Sequence, residues 1–420
     1  MFVPLDLLHD YLENIVNHDF VIYRFWPHGS KNIENLVSKR KYTMFEAITR
    51  PILIYHDQEP LDFDQYQAVN LDTAPWFKDW PLDFRQFWLA RNLRSACEVN
   101  IYDRAIITHS EYQSQEVAKY QANGFEPVYV WSHALLARDW YRYAMLDPKL
   151  NNEKTLAYDF NIYARAWTGS REYRLLFLAL LYDIAHHCRV TFSVEDQGHY
   201  LAHKFINPNF DIHGTDIENL FGNAMVPSDS SATYDADHYQ TCLIDVVLET
   251  IFDEQRIHLT EKTLRPLACG QPFILAAPAE SLKYLQSYGF ETFAPFINEG
   301  YDKETNPVKR LRCIVQEMQR IARLPTREKV NLAKSLQSIA YRNKKHFFSN
   351  DFFTQVINEY MVNMQQALHS TLKSKMGTEW HQHLALYDKW PAYKAHPDAG
   401  ALFEVRAGIE KFFNLAFDQS

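Results

Sequence analysis

Two short apolar runs, separated by a helical stretch, constrain the fold of this chain most strongly. The run Cys242–Leu248 is almost entirely apolar, and a second apolar run covers residues 272–276. Between them the pattern predicts a helix, either from Thr260 or, because Pro266 is poorly tolerated inside a helix, from about Thr263. Near-continuous apolar strands joined by a helix are typical of a parallel sheet covered on both faces. The segment therefore predicts an α/β domain.

The same alternation of strand-like and helical stretches recurs along the chain. The other predicted strands are 21–25, 51–56, 105–108, 128–131, 159–163 and 189–193. The other predicted helices are 5–16, 113–121, 172–186, 281–288, 309–324, 326–345 and 351–368. This order predicts two consecutive α/β domains, each with a parallel sheet.

A polar segment at residues 137–152 predicts the domain boundary, and 420 residues are too many for one ordinary core. We expect a first domain at 1–140, a second at 150–345 and a helical extension at 346–420. No apolar run reaches the roughly 18–20 residues that a membrane span needs. The first residues lack a signal-peptide pattern, and the five cysteines form no C-x-x-C pair. We therefore expect a cytoplasmic protein.

The net charge of −9 is unevenly distributed. Residues 303–345 contain 12 Lys and Arg against 3 Asp and Glu. Such a segment can face phosphates or an anionic partner, although amphipathic helices also carry solvated lysines on their outer face.

The helix between the two apolar runs starts on residues that suit a diphosphate. Glu249 and Thr250 follow the first run, and Thr260, Glu261 and Lys262 stand eleven residues further on. A helix start presents unpaired N–H groups and partial positive charge, which suit a diphosphate. A carboxylate there can accept hydrogen bonds from ribose hydroxyls, and a lysine can meet phosphate oxygens. The pattern predicts a nucleotide-sugar site, although Thr-Glu at a helix start is also ordinary capping chemistry.

These residues resemble the donor-binding block of GT-B glycosyltransferases, in particular the α1,3-fucosyltransferase-like group with its Glu-Asn-Ser and Thr-Glu-Lys pattern. The resemblance covers mainly residues 159–300. It implies two Rossmann-like domains facing an interdomain cleft, with Glu261 on the nucleotide ribose and Lys262 on the diphosphate. The chain has Thr250 and Ile251 where the group has Asn-Ser, so the resemblance does not imply fucose as the sugar.

Two arginines are candidates for the departing diphosphate, because a guanidinium binds phosphate as a planar fork. Arg165 follows the predicted strand 159–163, and Arg171 begins the next helical stretch. The group similarly uses an arginine in this region. We favour Arg165, since the end of a strand faces a cleft more surely than the side of a helix.

The acceptor site is predicted in the first domain. The strand 51–56 ends in His56, Asp57 and Glu59, and Pro60 restricts the backbone of Glu59. The resemblance places Glu59 as the base that deprotonates the acceptor hydroxyl, with Asp57 as a second candidate. His56 is a candidate acceptor contact. Further candidate acceptor contacts are His28, Ser30 and His133.

Three pairs of residues have spacings that a metal site can use. Two are Asp-x-Asp patterns, at residues 62–64 and 235–237, and the third is His199 with His203. Neither Asp-x-Asp follows a convincing strand, and no third ligand accompanies the histidines. We expect no metal and no cofactor.

Together these features predict a glycosyltransferase that moves a sugar from a nucleotide-diphosphate donor to a glycan hydroxyl, inverting and metal-independent by resemblance. One alternative is a phage-type DNA glycosyltransferase that modifies a hydroxymethylated pyrimidine, because those enzymes are also GT-B. Another is a non-catalytic nucleotide-sugar-binding protein.

Overall fold

The computed structural model describes residues 21–25, 52–56, 60–61, 105–122, 125–151, 153–224 and 231–376. The chain is mixed α/β, with two parallel four-stranded sheets, which confirms the predicted fold class at this level. It divides into two compact units. The second unit spans His133–Phe353, and the remaining described residues belong to the first.

The first unit contains a parallel sheet in simple sequential order, β1-β2-β3-β4. Its strands are β1 (Val21–Phe25), β2 (Ile52–His56), β3 (Ala105–His109) and β4 (Phe125–Tyr129), and helix α1 (Gln115–Ala122) connects β3 to β4. Three of the predicted strands are confirmed within one residue. The predicted strand 128–131 instead begins three residues earlier and ends at Tyr129, since Phe125–Tyr129 is the segment that pairs with β3 along its whole length.

The second unit contains a parallel sheet in the order β6-β5-β7-β8. Its strands are β5 (Tyr158–Ala164), β6 (Cys188–Phe192), β7 (Cys242–Leu248) and β8 (Phe273–Ala276). All four coincide with predicted strands to within one residue at each end. The chain winds outward from β5 to β6 and then returns to place β7 on the other side of β5. This reversal is a topological switch point, where open α/β sheets bind ligands beyond the carboxyl ends of their strands.

Helices surround the second sheet. They are α2 (Ser132–Trp140), α3 (Tyr173–Leu180), α4 (Ile217–Phe221), α5 (Ala236–Thr241), α6 (Glu261–Cys269), α7 (Ser281–Ser287), α8 (Pro307–Ala322) and α9 (Thr326–Phe347). The last helix, α10, covers Asn350–Met376. Short 3-10 turns lie at Arg142–Met145, Lys149–Asn151, Gly169–Arg171, Tyr182–His187, Tyr200–Ala202 and Glu299–Lys303.

Helix ends follow local capping chemistry. Asn306 precedes Pro307 and accepts a hydrogen bond from the N–H of Lys309 at 3.0 Å, which fixes the start of α8. Gly270 ends α6 in the left-handed conformation, with φ 68°. A Cβ at Gly270 would lie 3.1 Å from Cδ of Lys344, so packing as well as backbone conformation favours glycine there.

The predicted helix 172–186 forms as two pieces. The chain is α-helical as far as Leu180 and then tightens into the 3-10 turn Tyr182–His187, because strand β6 begins immediately afterwards at Cys188. Among the helices in the described ranges, none is both long enough and apolar enough to cross a membrane.

Candidate functional site

The candidate site lies where the two central strands of the second sheet end. Strands β5 and β7 are hydrogen-bonded in register, with Asn161 opposite Asp245 and Ile162 opposite Val246. Continuing this register brings Arg165, just after β5, level with Glu249, just after β7. The predicted donor residues therefore start from neighbouring strand ends at the switch point.

Glu249 is completely buried and organises the start of α6. Its carboxylate accepts hydrogen bonds from the hydroxyl groups of Thr260 and Thr263, at 2.7 and 2.5 Å. It also accepts from the backbone N–H groups of Thr260 at 2.9 Å, Thr263 at 3.3 Å and Thr250 at 3.2 Å. No part of this carboxylate faces solvent, so Glu249 is suited to positioning the helix rather than to touching a ligand.

Helix α6 begins at Glu261, two residues earlier than the alternative start that Pro266 suggested. Thr260 is its N-cap, and the Thr260 hydroxyl accepts from the N–H of Lys262 at 3.3 Å. The N–H of Thr263 is held by Glu249, and that of Leu264 by the carbonyl of Thr260 at 3.3 Å. These three first-turn N–H groups are thus bonded within the chain, which leaves the side chains of the helix start to meet a diphosphate.

Glu261 and Lys262 form an ion pair on the first turn of α6, with Nζ of Lys262 2.8 Å from Oε1 of Glu261. Burial works to raise the pKa of Glu261, but the neighbouring charge and hydrogen bond of Lys262 outweigh it and lower that pKa to about 2. Lys262 also donates to the hydroxyls of Thr250 and Thr260, at 3.3 and 3.2 Å. Its side chain keeps 25% of its surface exposed. The result is an ionised carboxylate beside a fixed, partly exposed ammonium.

His133 lies beside this pair. It belongs to α2 in the second unit, its side chain is 3% exposed, and its Nε2 lies 4.0 Å from Oε2 of Glu261. Its ring meets that of His258 edge-on, with ring centroids 5.1 Å apart. Burial, followed by the nearby His258, lowers the pKa of His133 to about 3, so the imidazole is neutral near pH 7. This position suits orienting Glu261 better than contacting an acceptor, which was its predicted role.

The two predicted arginines differ in their surroundings. Arg165 is half-buried, and its guanidinium has no hydrogen bond or ion pair with any of the described residues. A charged fork at a strand end that has no partner in the described part of the chain is suited to binding an anion. Arg171 is also half-buried and ends the 3-10 turn before α3.

Arg174, which the sequence did not single out as a site residue, holds the two strand ends together. Its guanidinium donates to the carbonyls of Ala166 and Leu248, both at 2.6 Å, and to that of Glu249 at 3.1 Å. The hydroxyl of Tyr173 donates to the same Glu249 carbonyl at 2.7 Å. Arg174 is 3% exposed, so it links β5 to β7 as a structural bridge. The only sign of this bridging role in the sequence is the position of Arg174, near the start of the helix that follows β5.

The loop after β6 is fixed by another buried carboxylate. Glu172 accepts from the N–H groups of Ile206 and Asn207, at 2.8 and 2.7 Å, and lies 3.1 Å from Nε2 of His203. His203 is therefore engaged with Glu172. The ring of His199 accepts from the N–H of Leu201 at 3.3 Å, in a 3-10 turn rather than on an α-helix.

The acceptor-side residues lie largely outside what the structure describes. The predicted base Glu59, its alternative Asp57, and the candidate contacts His28 and Ser30 are outside the described residues. For His56 only the strand backbone of β2 is described. These assignments stay predictions.

Of the two Asp-x-Asp patterns, residues 62–64 also lie outside the described ranges. Asp235 is the N-cap of α5 and accepts from the N–H of Asp237 at 2.9 Å, while the carboxylate of Asp237 pairs with Lys149 at 3.1 Å. This pattern thus serves helix capping. Within the described ranges, no group of three or more His, Cys, Asp or Glu residues is arranged to hold a metal ion.

A groove of about 1270 Å³ lies at the opposite, amino edge of the second sheet. It runs between the segment that leads into β5 and one face of α9, and includes Tyr158 and Asp159 at the start of that strand. We call it the amino-edge groove. It is separate from the residues around Glu261, because the two lie at opposite ends of parallel strands.

Comparison with protein-family models, with curated proteins and with solved structures gives no match to this chain.

Proposed function

We propose that the second unit binds a nucleotide-diphosphate sugar at the carboxyl edge of its sheet, and that the chain is a glycosyltransferase of the GT-B type. The observation that carries this proposal is the pair Glu261–Lys262. An ionised carboxylate and an adjacent ammonium begin the helix that follows the switch-point strand β7. Open parallel sheets bind nucleotides at such positions.

The chemistry of the site assigns a role to each charged group. The carboxylate of Glu261 accepts hydrogen bonds from the ribose hydroxyls, which its low pKa allows throughout the neutral range. The diphosphate is met by the side chains of Lys262 and Arg165, since the first-turn N–H groups named above are already bonded. Both cations would stabilise the charge that develops on the leaving diphosphate.

Transfer also needs a base for the acceptor hydroxyl. The sequence resemblance assigns this step to Glu59 and the acceptor to the first unit. A glycan is the acceptor we propose, since the overall net charge of −9 disfavours a DNA partner.

A thermal-shift screen of the full chain against nucleotide-diphosphate sugars tests the donor site. A ligand at one hundred times its Kd stabilises the native state by about 2.7 kcal/mol, which raises the melting temperature by several degrees. The variant Lys262→Ala should lose this shift, whereas Lys309→Ala, an exposed lysine on α8, should keep it. If no nucleotide sugar raises the melting temperature, or if Lys262→Ala responds like the wild type, the proposal fails.

A further inference from the structure

We propose that the amino-edge groove is a second binding site, which takes a small anionic amphiphile: a phosphate headgroup on an apolar body. The proposal is independent of the donor site, because it involves other residues at the opposite edge of the sheet. It rests on an excess of lysines over carboxylates, on one buried ammonium without a hydrogen-bond partner among the described residues, and on exposed apolar walls.

The groove is lined by more lysines than carboxylates. Its lining contains five lysines but only two carboxylates, Glu153 and Asp159. The lysines are Lys154, Lys329, Lys334, Lys344 and Lys345. The ammonium of Lys154 already donates to the carbonyls of Tyr239 and Cys242 and to the side chain of Gln271, so the proposal rests on the other four. Among the described residues only Lys329 is paired with a carboxylate, that of Asp159, at 2.6 Å. Asp159 is shared with His187, whose Nδ1 lies 2.7 Å away, so the one paired carboxylate is already used twice.

Lys344 is the most informative of these lysines. It is 6% exposed and lines the groove, and its Nζ has no hydrogen-bond partner among the described residues. The adjacent end of α6 carries partial negative charge, which stabilises an ammonium in part but leaves its donors unused. A buried charge without hydrogen bonds is costly, and an anionic ligand removes that cost.

A second buried polar atom lies along the same wall. Gln337 donates from its Nε2 to the carbonyl of Gly270 at 2.9 Å, while its Oε1 is buried without a partner in the described part of the chain. Gln337 and Lys344 are seven residues apart on α9 and therefore share one helix face. Both atoms are closed to solvent beneath the groove wall, so a rotation of each side chain is needed to bring its polar end to a headgroup that carries both an anionic oxygen and a hydroxyl.

The remaining walls are apolar and open to solvent. Met145, Tyr158, Val330 and Tyr341 all line the groove, and each exposes at least 38% of its surface. The ammonium of Lys345 lies 4.7 Å from the centre of the Tyr341 ring, so charge and apolar surface alternate along α9. Exposed apolar side chains beside lysines fit a ligand with an apolar body and an anionic head.

Calorimetric titration of the full chain with octyl phosphate tests the inference, with inorganic phosphate and octanol as the two single-feature probes. We expect octyl phosphate to bind at least about tenfold more tightly than either, because only it satisfies both the lysines and the apolar walls. Equal binding of inorganic phosphate, or no binding of octyl phosphate, would overturn the proposal.

Variants locate the binding within the groove. Lys344→Met should weaken octyl phosphate binding by about tenfold to a hundredfold, as expected for the loss of a charge-assisted hydrogen bond. Tyr341→Ala, at a surface position where folding is not at risk, should weaken octyl phosphate but not inorganic phosphate. The exposed Lys309→Met on α8 serves as the matched control and should change neither. Unchanged binding in both groove variants would contradict the assignment.

Discussion

The two edges of the second sheet differ in how fully their buried charged groups are hydrogen-bonded. At the carboxyl edge, Glu249 accepts five hydrogen bonds and Lys262 donates three, so the start of α6 is held by groups that satisfy one another. At the amino edge, Lys344 is buried without a hydrogen bond to any described residue. At the first edge the charged groups satisfy one another, and Lys262 and Arg165 stay partly exposed beside the buried Glu261. The second edge lacks an interaction that a ligand can supply.

The contribution of a buried lysine to stability therefore depends on the groups that surround its ammonium. Lys262 and Lys344 both lie on helices that pack beside the same sheet. The ammonium of Lys262 is held by two hydroxyls and a carboxylate. The ammonium of Lys344 has no hydrogen bond to a described residue and lies near the carboxyl end of α6. Substitution of each lysine by methionine should therefore change the unfolding free energy in opposite directions at the two edges.

The largest effect is expected at Glu249. The variant Glu249→Ala leaves the buried N–H groups of Thr260 and Thr263 without acceptors, which should cost about 4 kcal/mol of unfolding free energy. Denaturant unfolding measures this loss. The exposed Glu218→Ala on α4 is the control and should change stability by less than about 0.5 kcal/mol. A loss at Glu249 no larger than that of the control would show that this edge is not held by its carboxylate.

The next effect depends on pH and involves His133. Its pKa is lowered to about 3 in the native chain. Below about pH 6.5 the imidazole is therefore protonated in the unfolded chain but stays neutral in the native chain. Stability should therefore fall as the pH falls through this range, by about 1.4 kcal/mol per pH unit from this group.

The contribution of His133 separates from that of Glu261 by pH window. The lowered pKa of Glu261 gives stability that is present above about pH 4.5 and is lost toward pH 2. Asp245 and Glu299, whose pKa values burial raises to about 6 and about 7, also titrate near this window, so the contribution of His133 between pH 6.5 and 5 is the difference between the wild type and a His133 variant. We expect His133→Phe to flatten the stability curve there by about 2 kcal/mol, while the exposed His213→Asn leaves it unchanged. An unaltered curve in His133→Phe would refute the buried, neutral state of this imidazole.

The comparison of the lysines predicts a smaller effect with opposite signs. Lys344→Met should raise the unfolding free energy by about 1 kcal/mol, since it removes a buried ammonium that has no hydrogen bond to the described residues. Lys262→Met should lower it by about 1 kcal/mol, since it leaves the Glu261 carboxylate unpaired. Parallel denaturant unfolding of the two variants measures both. If both substitutions change stability in the same direction, the contrast between the edges is wrong.

The smallest effect on stability is expected at Arg165. Its guanidinium makes no contact with described residues that the fold depends on, so Arg165→Ala should change the unfolding free energy by less than about 0.5 kcal/mol. If Arg165 binds the diphosphate, the same variant should lose donor affinity by about tenfold or more. Arg174→Ala is the contrasting variant, because Arg174 bridges the ends of β5 and β7 and its loss should destabilise the unit itself.

The strands of the second unit were predictable because local sequence is enough to specify them. Strand β7 coincides with its apolar run, and β8 begins one residue after the run does. The start of α6 was harder to predict. Pro266 argued for a start at Thr263, but the hydroxyl of Thr260 and the carboxylate of Glu249, eleven residues earlier, supply acceptors that let the helix begin at Glu261. The contact between Glu249 and Thr260 depends on where the end of β7 lies relative to α6, which the separation of the two residues in the sequence does not reveal.

The candidate site was predictable in its residues but less so in their roles. The sequence brought together Glu249, Glu261 and Lys262, and the structure places them at one helix start. Sequence could not separate Glu249, whose carboxylate positions the helix, from Glu261, whose carboxylate pairs with Lys262, because the two residues precede or begin the same helix. Sequence also could not predict the roles of Arg174 and Lys344. The bridge made by Arg174 depends on which backbone carbonyls its side chain reaches. The lack of a hydrogen bond from Lys344 to the described residues depends on what surrounds its ammonium in the fold.

Calorimetric titration of a nucleotide-diphosphate sugar, identified by thermal shift, into the wild type, Arg165→Ala and Lys262→Ala tests the central claim most directly. The account predicts saturable binding of one sugar nucleotide per chain, weakened about tenfold or more in each variant and unchanged in Lys309→Ala. Binding of the same affinity in all four proteins would contradict it, because the donor would then not be held at the carboxyl edge of the second sheet.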